Sequence, residues 1–313
     1  MRVIITGGTG LIGRTLVHHL ARQEYEIIVL SRYPERAAQM FSRRELPGVQ
    51  TIGWDATSAQ GWGEFITGES AIVNLAGATP AHWPWTRRYR TRILESRLGA
   101  GQALMQAIER YGPPAVLVQA SASGYYGDRG QELLTETSLP GRGFRAQVCQ
   151  EWEASTAQAS TRRCIIRTGL VLDTNAGAFP PLLLFAQLLG KQVGSGRQWI
   201  PWIHREDVAR AIQFLLEQRT LHGSFNLCTP EPVPNVEFLR VVRRVIKRPA
   251  LFSLPAIVLQ TLLGELATVM LDSQHLVPDR LSKESFQFVY PQLEQALRNL
   301  LLEQRRSPVK KPF

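Results

Sequence analysis

The sequence predicts an α/β protein, a doubly wound parallel sheet followed by a small, mainly helical C-terminal lobe. Three observations predict it. Apolar runs of strand length recur between residues 3 and 227. Segments with helical periodicity separate them, and such alternation builds a parallel sheet. A glycine-rich stretch, residues 6–13, stands between the first apolar run and the first helix.

Residues 3–5 read as a buried strand, and Leu16, Val17 and Leu20 recur at helical spacing. Between them lie Gly7, Gly8, Thr9, Gly10, Leu11, Ile12 and Gly13. Gly8, Gly10 and Gly13 fit G-x-G-x-x-G, while Gly7, Gly10 and Gly13 fit G-x-x-G-x-x-G. A glycine turn lets the backbone approach a pyrophosphate, and the helix N-terminus presents free N–H groups to it. This strand–turn–helix context is that of a Rossmann dinucleotide site.

Residues 27–30 form the second expected strand, which ends at Ser31 and Arg32. An NAD-specific site carries an acid about 20 residues beyond the fingerprint, to take the ribose 2′-hydroxyl. Arg32 stands there instead, with Arg36 one turn on. A 2′-phosphate needs a cation, so the expected cofactor is NADP(H). Residues 49–52 are the third strand, and Asp55 just beyond it is placed to accept from an adenine amino group. The fourth strand closes in Leu75, Ala76 and Gly77, small enough at its end to let a cofactor lie against backbone. Residues 86–110 read as a long helix stopped by Gly112, Pro113 and Pro114. Residues 116–118 and 164–167 are the fifth and sixth strands, and 225–227 a further one. In such sheets ligands bind at the carboxyl ends of the strands, so these strand ends should line one crevice.

The expected domains are residues 1–248, with a lobe-forming insertion near 173–200, then 249–302, then a flexible basic tail, 303–313. Residues 179–187 should wall the second lobe, and Asn235 should cap a helix over 236–245. Asp207 reads equally as helix cap and as ligand, and His204 as a structural histidine. The apolar stretch 254–271 contains Gln260, Glu265 and Thr268, so it reads as packed helix rather than membrane span.

The net charge is +10. Arg87, Arg88, Arg90, Arg92 and Arg97 form one basic cluster, expected as a solvated helix face, and the tail another. This balance favours anionic ligands, but no nucleic-acid motif accompanies it. Cys149, Cys164 and Cys228 are odd in number and lack metal or redox spacing, which points to free thiols in a reducing compartment. With the first strand expected at residue 3, no leader is expected. The expected location is the cytoplasm, or the plastid stroma for a mature protein.

Several stretches carry a resemblance: Thr6 to Gly13, Asn74 to Gly77, Ser121-Ala-Ser-Gly-Tyr-Tyr-Gly-Asp128, Val148-Cys-Gln-Glu-Trp-Glu153, Arg167-Thr-Gly-Leu-Val-Leu172, and Gly194 through His204. They resemble the extended short-chain dehydrogenase/reductases, in the nucleotide-sugar epimerase-like branch. More narrowly, the chain is similar to an epimerase family of uncertain substrate, labelled cell-division-inhibitor-like in cyanobacteria and plastids. Residues 249–302 resemble its C-terminal domain of unknown function. The resemblance implies that the backbone of residues 167–170 approaches the nicotinamide, which brings Arg167 into the cofactor set with Ser121. It also implies oxidoreductase or epimerase-like chemistry on a small carbonyl or sugar-derived substrate. The alternative it implies is a non-catalytic NADP-binding regulator tied to cell or plastid division, with a division-protein partner.

The superfamily's proton donor is a tyrosine with a lysine four residues on, one helical face lowering the phenol pKa. No tyrosine in this chain has lysine at that spacing, and residues 144–153 read Phe-Arg-Ala-Gln-Val-Cys-Gln-Glu-Trp-Glu. The other candidates are Tyr125, Tyr126, Ser121, Ser123, Cys149 and Glu153. Of these, Tyr125 or Tyr126, assisted by Ser121 or Ser123, is the expected catalytic set, because they share the strand-end loop.

Overall fold

The computed structural model describes residues 1–42, 44–80, 84–188 and 190–306. Seven strands form the central sheet: β1 (Arg2–Thr6), β2 (Glu26–Ser31), β3 (Val49–Gly53), β4 (Ala71–Asn74), β5 (Val116–Ala122), β6 (Arg163–Thr168) and β7 (Gly223–Leu227). Their order is 3-2-1-4-5-6-7, and every pairing is parallel. The order reverses between β1 and β4, where ligands bind in open α/β sheets.

The helices are α1 (Leu11–Ala21), α2 (Pro34–Met40), α3 (Arg87–Tyr111), α4 (Phe144–Ala154), α5 (Phe179–Gln187), α6 (Arg205–Glu217), α7 (Asn235–Ile246), α8 (Ala256–Leu263), α9 (Thr268–Leu271), α10 (Asp279–Lys283) and α11 (Leu293–Arg306). Side chains alternate across the sheet, as the strand period of two demands. Val3, Ile5, Ile27 and Val29 pack on α1 and α6 through Leu16, Leu20, Ile212 and Leu215. Ile4, Ile28 and Ile72 face the other way, onto Ala100, Ala103, Leu104 and Ala107 of α3. Thr86 caps α3 by accepting from Tyr89 N–H at 3.1 Å, and Gly112, at φ +97, ends it.

A separate apolar core holds the second lobe, with Phe179, Leu182, Phe238, Leu239, Leu297 and Leu300 at its centre. Helix α7 packs there, with α5 and α11, rather than on the central sheet. The lobe is stitched to the sheet's carboxyl edge. Ser273 N–H donates to Asp128 Oδ1 at 3.0 Å, and Gln274 Nε2 to Gly127 O at 3.1 Å. Strand His275–Leu276 pairs with Leu133–Leu134. Asn226 Nδ2 donates to Val277 O at 3.0 Å.

Several expectations are corrected. The apolar stretch 254–271 is not one packed helix: Gly264, at φ +56, ends α8, and a 3-10 turn leads to α9. Ile257 and Leu262 of α8 are 67% and 62% exposed. Helix α11 continues through Arg306, because its buried stripe of Leu293, Ala296, Leu297 and Leu300 carries it on. Glu303 pairs with Arg205, so the expected tail does not begin there. Residues 307–313 lie outside the described residues. Asn235 is not a cap: Pro234 holds that position, and the Asn235 carboxamide instead accepts from Val193 N–H at 2.9 Å. For α6 the cap is His204, whose Nδ1 accepts from Glu206 N–H at 3.2 Å. Asp207, fully buried, holds Val289 and Tyr290 N–H at 2.8 and 2.9 Å. Arg97 leaves the solvated face and is buried over Trp152. Among the described residues, no helix is long and apolar enough to cross a membrane, and no group of three His, Cys, Asp or Glu is placed to hold a metal ion.

Candidate functional site

The glycine turn resolves its two registers. Gly7 sits at φ +66, and a Cβ there would meet Leu75 O at 2.5 Å. A Cβ on Gly13 would lie 2.4 Å from Gly7 O, so helix and turn touch through bare backbone. Gly10 is the N-cap of α1, and a Cβ on it would meet only Gly7 O, at 3.2 Å. Gly8 instead packs on Val29, where a Cβ would be 2.7 Å from Cγ1. The Gly7–Gly10–Gly13 register therefore shapes the turn. No side chain caps α1, so the N–H groups of its first turn are left for a ligand. Leu11 and Ile12 open that turn and pack partly against the core.

Polar side chains fix the strand ends around the turn. Thr6 Oγ1 donates to Asn74 Oδ1 at 2.6 Å and accepts from Leu75 and Ala76 N–H at 3.1 and 3.2 Å. Asn74 Nδ2 donates to Gln119 Oε1 at 2.9 Å. Above them opens a cleft of about 690 Å³. It brings together Gly7, Thr9 and Gly10 of the turn, Ser31 and Arg32 after β2, Asp55 after β3, and Leu75, Ala76 and Gly77 after β4. Gly77 is a glycine because Arg97 lies over it, with Cζ 3.0 Å from where a Cβ would be.

Arg32 is exposed beside the Tyr33 ring and borders a shallow groove with Arg36. Ser31 Oγ accepts from Tyr33 N–H at 3.1 Å. Asp55 Oδ1 accepts from Thr57 and Ser58 N–H, both at 2.8 Å, and Oδ2 from the Ser58 hydroxyl at 2.9 Å. The backbone bonds, Thr57 first, hold its carboxyl down at about 2. Asp55 thus builds its own turn while still lining the cleft. Sequence reasoning missed the contribution of α3, whose Tyr89, Arg92, Ser96 and Gly99 form the opposite wall. The signal was present: residues 92, 96 and 99 share one helical face, and two of them are small.

The β5–β6 end of the crevice differs. Ser121 is buried, and its hydroxyl donates to Glu153 Oε1 at 2.6 Å. Arg167 grips the same carboxylate with Nε and Nη2, both at 2.9 Å. Its Nη1 donates to the Tyr126 hydroxyl at 3.0 Å, which in turn donates to Asn226 Oδ1 at 2.7 Å. Tyr126 is fully buried, and burial pushes its phenol up to about 12. Burial works against the Arg167 charge, yet the Glu153 bonds hold its pKa above the ordinary value. The Arg167 guanidinium lies 3.5 Å from the centre of the Tyr125 ring. Cys149 contacts Ala122 O at 3.7 Å, and burial pushes its thiol up.

The sequence candidates therefore separate. Ser121, Tyr126, Glu153 and Arg167 form a closed buried network. Tyr125 lines neither the cleft nor the cavity beyond it. Ser123 does line that cavity, which measures about 180 Å³. Its hydroxyl has no hydrogen-bond partner among the described residues. Thr168, Gly169 and Leu170 form one wall, so the β6 segment reaches the cavity through these residues and not through the Arg167 side chain. Gly169 is pressed against Pro201, where a Cβ would lie 2.3 Å from the carbonyl oxygen. Arg145, Trp199, Asn235, Asp272 and Gln274 supply other parts of the lining. They come from distant segments, and no local pattern joins them.

A glycine turn open at Gly10, an uncapped helix N-terminus and a reversed strand order define a dinucleotide-binding α/β protein. Comparison with known proteins narrows this. Residues 3–228 match the NAD dependent epimerase/dehydratase family, and the chain belongs to it. Residues 254–300 match a domain of unknown function, DUF1731. The chloroplastic epimerase family protein SDR39U1 homolog of Arabidopsis thaliana is 34% identical over 307 residues, covering 96% of this chain and 87% of that protein. An epimerase family protein of Staphylococcus saprophyticus, SSP1921, is 34% identical over 305 residues, 95% of this chain and 98% of that one. Among solved structures, human epimerase family protein SDR39U1 with NADPH has 32% identity and a TM-score of 0.84, covering 96% of this chain and 99% of that chain.

Proposed function

We propose that this chain binds NADP(H) along the crevice and reduces a small carbonyl compound, or in reverse oxidises the corresponding alcohol. The observation that carries the cofactor reading is Arg32 at the end of β2, exposed beside Arg36, where an NAD site has a carboxylate. The human relative crystallised with NADPH supports it. In this reading the Gly7–Gly10 turn and the N-terminus of α1 take the pyrophosphate. Arg32 takes the 2′-phosphate, Asp55 accepts from adenine with its remaining lone pair, and Leu75 to Gly77 wall the ribose. When bound, the nicotinamide supplies or accepts a hydride.

Ser123 and Thr168 both bring hydroxyls to the cavity lining, and the Thr168 oxygen is buried, so Ser123 is the group to bond the reacting carbonyl oxygen. Ser123 would hold the carbonyl oxygen and pass it a proton from solvent as the carbonyl is reduced. The Tyr126 phenol does not serve, since its oxygen is buried and already bonded on both sides. A cavity of about 180 Å³ is below the roughly 300–1,000 Å³ of drug-sized ligand sites, which favours a small substrate over a nucleotide sugar. The missing tyrosine–lysine pair favours a second reading, an NADP-binding regulator of cell or plastid division.

The test is calorimetric titration of wild type and Arg32→Ala with NADPH and NADH. The expected wild-type preference for NADPH is roughly 1.5–3 kcal/mol, about one to two decades, and falls in the variant. Equal wild-type affinities would remove the NADP reading. NADPH binding without oxidation by any carbonyl in a broad panel would favour the regulator.

A further inference from the structure

We infer that the cavity beyond Ser123 is built for a short oxo acid, an acceptor-rich anion with a small apolar body. The inference rests on the cofactor reading above and names the ligand class of its substrate end. Asn235 and Thr168 both line this cavity, and each carries a buried polar atom with no hydrogen-bond partner among the described residues, Nδ2 and Oγ1. Asn235 is fully buried, and its Oδ1 is committed to Val193 N–H, which fixes the amide so that Nδ2 is the orphan. Native structures rarely leave such groups unpaired, so each has a hydrogen bond left for a ligand or an ordered water to make.

Arg145 adds charge. Its Nη1 is spent on Thr268 O and Asp272 Oδ2, both at 3.0 Å. Its Nε and Nη2 pack beside Gly124, the residue after Ser123, 3.4 and 3.5 Å from where a Cβ would stand, with no hydrogen-bond partner among the described residues. That leaves one two-donor edge of the guanidinium, the geometry that matches a carboxylate. Asp272 offsets part of the charge but does not occupy this edge. The Asn235 amide and the Arg145 edge can only donate, and the Thr168 and Ser123 hydroxyls can donate or accept. Their complement is a ligand presenting acceptors, and a carboxylate next to a carbonyl presents them together. Leu170, Leu182, Ile200 and Met270 supply an apolar wall for the rest of the molecule, and the volume limits it to a few carbons.

The probe is oxamate, an unreactive mimic of a 2-oxo acid, titrated calorimetrically into NADPH-loaded and cofactor-free protein. Wild type should bind it at millimolar concentration or tighter. Arg145→Met should weaken binding roughly tenfold or more, since a charge-assisted pair is lost. Asn235→Asp keeps an acceptor for Val193 N–H and suits a helix N-terminus, so the fold should hold while oxamate binding falls. Both variants should keep wild-type NADPH affinity. No oxamate binding by either form of the wild type, or wild-type affinity in both variants, would overturn the inference. Failure of NADPH to bind would instead remove the cofactor reading, and the cofactor-free titration would still decide the cavity.

Discussion

The two ends of the crevice use the same strand edge in opposite ways. At the β1–β3 end donors face the cleft: Arg32 is exposed and α1 is uncapped, while Asp55 is spent on its own turn. At the β5–β6 end the polar groups are spent on one another, with Ser121, Glu153, Arg167, Tyr126 and Asn226 joined in a chain of bonds of 3.0 Å or less. The first end is arranged to receive an anion. The second carries the residue types of a catalytic centre and uses most of them as structure. A tyrosine or serine at a strand end is available for chemistry only when its oxygen is unspent: Ser121 and Tyr126 are bonded, and the Ser123 hydroxyl has no partner among the described residues.

The largest expected effect breaks the closed end. Glu153→Ala would strand the Arg167 guanidinium and remove the Ser121 acceptor. Breaking a buried pair on one side costs about 3–5 kcal/mol, which urea unfolding would read as a lower midpoint at unchanged slope. Stability close to wild type would mean that water already reaches this network.

A smaller effect is a pH dependence. The Tyr126 phenol sits at about 12 in the folded chain, against about 10 unfolded. The folded state then holds the proton more tightly than the unfolded state. The contribution is complete below pH 10 and is lost as pH rises from 10 through about 12. A two-unit shift corresponds to at most about 2–3 kcal/mol. Phenolate absorbance of wild type minus Tyr126→Phe should show one tyrosine ionising near pH 12. Ionisation near pH 10 would place this hydroxyl in water and reopen it as a proton donor.

What could be read in the sequence, and what could not, follows the same division. The glycine turn was legible because its constraint is local: a positive φ and a bare backbone contact admit only glycine at 7 and 13. The strands were legible from apolar runs, although β5 runs four residues past the expected 118 and ends at Ala122. The state of Ser121 and Tyr126 was not legible, because it depends on Glu153, Arg167 and Asn226, which arrive from three other elements. The cavity lining was hidden for the same reason. Asn235 looked like a helix cap because caps and buried acceptors use the same residue type, and only the position of Val193 decides between them. The end of α11 was misread because its basic residues hid an apolar stripe that persists to Leu300, and because Glu303 has a partner at Arg205.

The glycine turn is proposed as the seat of the cofactor, and Gly10→Val tests it directly. Gly10 has φ −76 and ψ −179, which valine adopts, and its Cβ would meet only Gly7 O at 3.2 Å. The fold should therefore survive, with a melting temperature within about 2 °C of wild type. The branched side chain would fill the space where backbone and pyrophosphate meet. Calorimetric titration of the folded variant with NADPH should show no binding, against clear binding by wild type. Wild-type NADPH affinity in folded Gly10→Val would contradict the account.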